Sequence, residues 1–290
     1  MDNNNYKDEV VEDSDKPIYI DLVDLDDIKD NEIKSRVTEL ISVLNVDNIE
    51  KWLPQFNSIM DLRRLLKFRR PEFLKAFNEI YKSLCKQINS LRSGCSKIAL
   101  VLMSELFSNS KDIQLDWIDN LLPAVIAKAA FIQKFIKEEA INVLNNVSAN
   151  MFVYHVLDIL VQNVGNKNVS QSEAAFDCLC KLIDNWNEKQ LVKINELPHI
   201  VPKIVEVYKL KKEPYNKKSL KIVMCLYEKL GKDNFEKMVN VVELESKNMI
   251  ENILKQAKEK QGMKKDSGNL RDHIKKVKDN DEIKDKDNMK

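Results

Sequence analysis

Apolar residues recur along this chain with the three- and four-residue spacing of amphipathic helices. Between residues 31 and 44, the apolar residues have the spacing of one amphipathic helix: Ile33, Val37, Leu40, Ile41 and Leu44. The same spacing returns along most of the chain and predicts one leading helix followed by about five helix pairs. The further helices are predicted at 52–62, 71–88, 98–107, 117–126, 131–147, 152–164, 172–186, 197–210, 219–230 and 235–254.

Turn-forming and capping residues separate these apolar runs. Asp47 is a plausible N-cap before the second helix, and Pro71 stands at a favoured first-turn position of the third. Ser93-Gly94 is predicted to break the chain, Gly165 to end a helix, and Gly231 to separate the last two helices.

Short basic or polar loops precede or open these helices roughly every 40 residues. A period of this length in an all-α chain indicates an α-solenoid of about five to six HEAT-like helix pairs, in which equivalent loops lie along one edge. A row of basic loops on one edge would suit an acidic partner. The loops are Glu50-Lys51-Trp52, Leu91-Arg92-Ser93-Gly94, Ile132-Gln133-Lys134, Asn166-Lys167-Asn168 and Tyr215-Asn216-Lys217-Lys218.

Composition agrees with an all-helical protein. The 290 residues include only five glycines and seven prolines, fewer than the turns of an all-β protein require. No apolar run approaches the length of a membrane span, and the acidic, polar start of the chain is unlike a secretory signal. The odd set of five cysteines lies in or beside apolar runs, which favours buried free thiols.

Charge divides the chain into three parts. Residues 1–32 hold 12 acidic and 3 basic side chains, although the whole chain has a net charge of +1. We predict an acidic, largely disordered arm at 1–30, a helical-repeat domain at 31–255 and a charged, disordered tail at 256–290. The alternating stretch 18–28 favours an apolar anchor that packs on the first helices. A strand-adding, modifier-binding motif is the alternative.

The sequence shows no catalytic constellation. Cys178 and Cys180 have the wrong spacing for a redox or zinc pair, and there is no glycine-rich phosphate loop. The three histidines are scattered, at His155, His199 and His273. We therefore predict a protein that is not an enzyme and has no cofactor or metal.

The stretch from Asn89 to Phe107, with its Leu91-Arg92-Ser93-Gly94 turn leading into a helix, resembles the second HEAT repeat of a TOG domain of the crescerin and CLASP-like branch. Glu50-Lys51-Trp52 looks like the first TOG loop, Ala130–Lys134 like the third, and Asn216-Lys217-Lys218 lies where the fifth carries basic residues. The resemblance covers roughly residues 47–240.

This resemblance implies a non-catalytic module that binds tubulin or microtubules through its intra-repeat loops. It implies a place at the cytoplasmic cytoskeleton, including a cilium, flagellum or basal body. Trp52 would be an apolar anchor, with a core tryptophan as the alternative. The implied tubulin-binding residues are Lys51, Trp52, Arg92, Ser93, Lys97, Lys134, Lys167, Asn216, Lys217 and Lys218.

This chain departs from the TOG pattern in its choice of basic residue. Lys134 stands where arginine is common, the fourth loop has one lysine, and the fifth has two lysines without arginine. Lysine cannot make the planar bidentate contact that arginine makes with a carboxylate, so these departures predict weaker binding.

Two other functions fit a helical repeat. One is a protein scaffold whose partner is not tubulin and docks elsewhere. The other is nucleic-acid binding. The modest charge excess argues against it, as does the lack of aromatics interleaved with the basic loops as stacking platforms.

Overall fold

The computed structural model describes residue 22 and residues 32–46, 52–109, 113, 115–194 and 197–260. The predicted acidic arm, apart from Leu22, and the tail beyond residue 260 lie outside the described residues. So do the predicted cap Asp47 and the predicted site residue Lys51. The chain forms two compact units, Met1–Trp186 and Asn187–Lys290.

The first unit is a two-layer stack of helices. Helices α1, α3, α5 and α7 pack side by side in one layer, and α2, α4, α6 and α8 pack in the other. Each odd-numbered helix also packs on the even-numbered helix that follows it, so the unit consists of four helix pairs. The helices are α1 (Ile33–Leu44), α2 (Trp52–Phe68), α3 (Arg70–Ile88), α4 (Ser93–Phe107), α5 (Leu115–Ala129), α6 (Lys134–Asn150), α7 (Tyr154–Asn163) and α8 (Val169–Asn185).

The core lies between the two layers. Phe73 and Phe77 of α3 are fully buried, and the Phe77 ring packs edge-on against Trp117 of α5 with 4.5 Å between ring centroids. The Trp117 Nε1 donates to Asn78 Oδ1 at 2.6 Å, which pairs the polar atom of this buried ring. Such contacts between helices of neighbouring pairs are the interfaces that a repeat stack needs.

Polar contacts tie the even-numbered layer together. Asn146 of α6 donates to the Ser104 carbonyl of α4 at 2.9 Å, and Asn185 of α8 donates to the Ser148 carbonyl of α6 at 2.9 Å. These side-chain amides join neighbouring helices of the layer through backbone oxygens; the Ser104 carbonyl also accepts from the Ser108 amide at 3.0 Å.

The acidic arm contributes one described residue to the first unit. Leu22 is buried, and its carbonyl accepts a hydrogen bond from Lys67 Nζ of α2 at 3.4 Å. At this residue the predicted apolar anchor contacts the second helix.

The second unit contains a short helix, α9 (Glu188–Val192), followed by a 3₁₀ turn at Leu197–His199. Helix α10 (Ile200–Lys209) packs on α11 (Glu213–Asn240), and residues 244–260 form a further helix, α12. Helix α11 is interrupted at Gly231, whose φ of 70° and ψ of 170° are not helical. Glycine adopts this backbone region without the strain that a Cβ would add.

The structure confirms the all-α architecture. The described part of the chain contains helices, turns and bends but no β-strand. None of the described helices combines the length and the apolar character that crossing a membrane requires.

Several predicted boundaries were wrong. Ser93-Gly94 does not break the chain but forms the first turn of α4, because Arg92 is the extended residue before the helix. The helix predicted at 235–254 ends at Asn240, and α12 begins after a turn at 241–243. The short helix α9 lay in no predicted run. Gly165 and Gly231 do have positive φ, as their predicted places at helix ends require.

Candidate functional site

The connections within the helix pairs of the first unit lie along one edge. Helices within a layer run parallel, because their contacts advance in the same direction along both helices. Cys95 and Glu105 of α4 contact Trp52 and Arg63 of α2, and Asn78 and Cys85 of α3 contact Trp117 and Asn120 of α5. A short connection reverses the chain between the two helices of a pair, so the two layers run antiparallel. Every passage from the odd to the even layer therefore falls at the same end of the stack. The loop edge comprises the second loop (89–92), third loop (130–133) and fourth loop (164–168), with the first residues of α2, α4, α6 and α8. Of the first loop, only residues 45 and 46 are described.

Trp52, the first residue of α2, links the first two loops. Its ring is half-buried and packs edge-on against Phe56, with 6.3 Å between centroids. A Cβ added to Gly94 would lie 4.0 Å from Trp52 Cζ3, and Cys95 Sγ donates to the Trp52 carbonyl at 3.5 Å. Trp52 therefore packs on the second repeat and still exposes part of its ring on the loop edge.

The second loop presents an apolar and a basic side chain together. Leu91 is 85% exposed, and Arg92, the N-cap residue of α4, is exposed beside it. The Arg92 amide donates to Ser90 Oγ at 3.2 Å, which fixes the turn. Ser93 is half-buried at the start of α4.

Behind the second loop, the first turns of α4 are buried. Burial raises the pKa of the Cys95 thiol to about 11, and the nearby charge of Arg92 opposes part of that rise. Lys97 is only 6% exposed, and its Nζ lies 5.5 Å from the centroid of the Phe135 ring of α6. Lys97 thus contacts the third repeat, although the sequence pattern placed it among the basic residues that line the edge.

The third loop carries the most exposed apolar side chain of the edge. Ile132 is 98% exposed, and Phe131 beside it is partly exposed. Lys128 Nζ lies 4.4 Å from the Phe131 ring centroid, and burial lowers the pKa of Lys128. Lys134 is the first residue of α6; its side chain is 88% exposed and lies 3.8 Å from the Glu138 carboxylate.

The fourth loop is held by its own polar groups. Asn168 caps α8 by accepting from the backbone amides of Ser170 and Gln171, at 3.1 and 3.3 Å. Asn166 Oδ1 accepts from the Asn168 amide at 2.9 Å. Lys167 stands exposed between these two asparagines, so the loop presents one cation on a structured turn.

The second, third and fourth loops are therefore basic and apolar at once. Residues 89–93, 130–134 and 164–169 contain Arg92, Lys134 and Lys167 but no aspartate or glutamate. Sequence reasoning missed the exposed apolar residues of the same loops: Leu53, Leu91, Phe131, Ile132 and Val169. The available signal was an apolar residue two positions before a helix start and outside the apolar stripe of that helix, as at Leu91 and Ile132.

In the second unit, the connection between α10 and α11 is shorter than predicted. It comprises residues 210–212, in which Lys211 and Lys212 are exposed and Lys211 has a φ of 54°. Asn216, Lys217 and Lys218 do not form a loop, because α11 already begins at Glu213. Pro214, in the first turn of α11, was the sequence signal for this earlier start.

The predicted fifth-loop residues lie on the second turn of α11. The Lys217 side chain is exposed and its Nζ lies 2.9 Å from Glu213 Oε1; this hydrogen bond lowers the pKa of the Glu213 carboxyl. Lys218 and Asn216 are half-buried. Lys217 is therefore the more accessible of the two charged residues, Lys217 and Lys218.

Among the described residues, no group of three histidine, cysteine or acidic side chains could hold a metal ion. His155 is half-buried on α7, and its Nε2 lies 2.5 Å from Asp119 Oδ1 of α5. This contact joins two neighbouring helices of the odd-numbered layer.

Comparison with known proteins gives a family and a fold. The sequence model of the CLASP N terminal family matches residues 33–209. No curated protein sequence matches the chain significantly.

Solved TOG domains have the same fold. The TOG domain of C. elegans Zyg9 superposes with a TM-score of 0.57 at 14% identity, covering 81% of this chain and 91% of that one. A crescerin TOG domain, from an array that regulates microtubules in the primary cilium, gives 0.53 at 15% identity, with 76% and 89% covered. A structure concerned with TOG–tubulin binding specificity in microtubule dynamics and spindle formation gives 0.54 at 15% identity, with 74% and 80% covered.

Proposed function

Because this chain belongs to the CLASP N terminal family, we propose that it is a non-catalytic module that binds tubulin or microtubules through its loop edge. The solved TOG domains that share its fold include structures concerned with tubulin binding and microtubule regulation. A shared fold does not identify a partner. The choice of tubulin as the partner therefore rests on the side chains exposed along the loop edge.

One observation carries this proposal: successive repeats place exposed apolar and basic side chains on the same edge. Leu91 and Arg92 come from the second loop, and Ile132 and Lys134 come from the third loop and the start of α6. Tubulin is an acidic protein, so the cations would attract it and the apolar tips would supply contact area. The absence of acidic residues from residues 89–93, 130–134 and 164–169 removes a source of repulsion.

Each residue type has its own part in such binding. Arg92 can form a bidentate contact with a carboxylate, whereas Lys134 and Lys167 act as point charges. Trp52 exposes part of a large ring while its backbone carbonyl is held by Cys95. The predominance of lysine predicts modest affinity that falls with salt concentration.

We also propose that Lys217, with Lys211 and Lys212 nearby in sequence, contributes charge from the second unit. These lysines are exposed. In the cell, the protein would then lie on the microtubule cytoskeleton. Fluorescence localisation can test whether it is found at a cilium, flagellum or basal body.

Co-sedimentation with microtubules and gel filtration with unpolymerised tubulin test the proposal directly. We expect binding at low salt to at least one of the two forms, and loss of that binding in Trp52→Glu/Lys217→Glu. The variant Arg92→Glu separates surface charge from packing, because Arg92 is exposed. Absence of binding by the wild-type protein to both forms at low salt would contradict the proposal.

A second candidate function is a scaffold for a partner other than tubulin. It is favoured by Phe152 and Tyr154, which are exposed at the α6–α7 connection. Connections from the even to the odd layer lie opposite the loop edge. A partner whose binding is lost in Phe152→Asp but retained in Arg92→Glu would support the scaffold.

A further inference from the structure

A buried polar side chain recurs at the fourth residue of three even-numbered helices. These residues are Gln55 of α2, Ser96 of α4 and Ser172 of α8. They recur in phase with the repeat, and each forms a hydrogen bond with the backbone at or just after the end of the preceding helix. The loops of the edge are thus tied to the helices that follow them.

Gln55 ties the residue pair that follows α1, Asn45 and Val46, to the start of α2. Its side chain is 7% exposed, and its Nε2 donates to the carbonyl of Val46 at 2.7 Å. Val46 follows α1, so this bond joins the exit of α1 to the start of α2, three residues after Trp52.

Ser96 holds the second loop. Its Oγ is fully buried and donates at 2.7 Å to the carbonyl of Ile88, the last residue of α3. A carbonyl in the last turn of a helix has no partner within that helix, so the serine satisfies a group that would otherwise be unpaired. The loop that carries Leu91 and Arg92 lies between these two residues.

Ser172 holds the fourth loop as a hydrogen-bond acceptor, whereas Gln55 and Ser96 are donors. Its fully buried Oγ accepts from the amide of Gly165 at 2.9 Å. Gly165 has a φ of 85°, a left-handed conformation that ends α7. The bond fixes the start of the turn that presents Lys167.

The third loop provides an internal contrast. The fourth residue of α6 is Lys137, which is exposed. The third loop instead contacts α5 through the Phe131 ring, whose centroid lies 4.4 Å from Lys128 Nζ. A buried polar residue at this position is therefore not a general requirement of the helix start.

We propose that Gln55, Ser96 and Ser172 are positioning residues for partner binding. Ser96 and Ser172 hold the second and fourth loops in one conformation before the partner arrives, and Gln55 fixes the exit of α1 against the start of α2, beside Trp52. Binding by an ordered loop avoids the entropy cost of ordering it in the complex. The effect on affinity rests on the proposed function, whereas the ordering of the loops does not.

Hydrogen exchange of the free protein tests the ordering. We expect Ser96→Ala to raise the hydrogen-exchange rate of the backbone amides at 89–92 by about five-fold. Ser172→Ala should raise the exchange rate of the Asn166 and Asn168 amides by about the same factor. Ser148→Ala is the matched control, because its buried Oγ bonds the Asn145 carbonyl within its own helix. If the variants unfold at the same temperature as the wild type, the increases in amide exchange are local.

Affinity for unpolymerised tubulin, measured well below the unfolding temperature, tests the consequence. We expect Ser96→Ala and Gln55→Met to bind about five-fold more weakly than the wild type, and Ser148→Ala to bind equally well. Unchanged loop exchange in the variants, or increased exchange with unchanged affinity, would overturn the positioning role. Wild-type protein that binds no tubulin would instead contradict the proposed function, and loop exchange would still decide whether the bonds order the loops.

Discussion

The Arg63 guanidinium of α2 holds the Glu105 carboxylate of α4 with two hydrogen bonds, from Nε at 2.9 Å and from Nη2 at 2.5 Å. The Arg63 side chain is 3% exposed, whereas that of Glu105 is 35% exposed. The pair joins the first and second helix pairs of the stack, so it supports the interface on which Trp52 and the second loop also depend.

Glu105→Ala should therefore destabilise the protein by about 2 kcal/mol, because it leaves the Arg63 charge buried without its carboxylate. The partial exposure of Glu105 places this value below the usual range for a fully buried pair. Urea unfolding measures the effect. The double variant Arg63→Met/Glu105→Leu, which buries no charge, should recover most of the loss. A double variant no more stable than Glu105→Ala would contradict this account.

Lys134 and Lys232 form a matched pair for testing the basic edge. Both side chains are largely exposed, and each lies near a glutamate one helical turn later, at 3.8 and 3.9 Å. Replacing either by alanine should change stability by less than about 0.5 kcal/mol. Only Lys134→Ala should weaken tubulin binding, and the difference should shrink as salt is added. Equal binding by both variants would exclude Lys134 from the interface.

Ile132 tests the apolar part of the edge. The Ile132 side chain is 98% exposed and contributes almost nothing to the core, so Ile132→Asp should leave the unfolding temperature unchanged. The same substitution should weaken tubulin binding at least about ten-fold, which is the effect expected of an interface hot spot. Val241→Asp is the control, since Val241 is 72% exposed in the turn between α11 and α12. Equal loss of binding in both variants would indicate a general charge effect.

The buried thiols predict a loss of stability in alkali. Burial raises the pKa of Cys95 from 9.0 to about 11, so the unfolded chain releases this proton at lower pH than the folded one. Stability should fall as the pH rises above 9, by about 1 kcal/mol from this residue at pH 10. Urea unfolding at pH 8 and pH 10 measures the fall. Cys95→Ala should reduce it, whereas Ser148→Ala should not.

Two glycines should respond oppositely to alanine. Gly94 lies in the first turn of α4, where a new Cβ would make an ordinary contact with Trp52, so Gly94→Ala should stabilise by about 0.5 kcal/mol. Gly231 has room for a Cβ but a φ of 70°, so Gly231→Ala should cost about 1–2 kcal/mol through backbone strain alone. Thermal unfolding of the two variants decides both. A stabilised Gly231→Ala would show that the interruption of α11 is not needed.

The predicted helices were mostly found because their signals are local. The apolar spacing of Ile33, Val37, Leu40, Ile41 and Leu44 predicted α1. Four of these side chains are its buried face, and Ile41 is half-buried. Gly165 likewise marked the end of α7. Boundaries failed where a weaker local signal was overlooked, as at Pro214, which opens α11 and places Asn216, Lys217 and Lys218 inside a helix.

The sequence by itself determined the all-α class, the recurrence of about 40 residues and the basic character of the loops, since periodicity and charge are properties of short segments. Tertiary structure alone decided which of those side chains reach solvent. Lys97 is buried against the third repeat, whereas Leu91 and Ile132 project from the loop edge. Burial depends on the helix that packs alongside, which comes from a repeat about 40 residues away, and no local pattern records that neighbour.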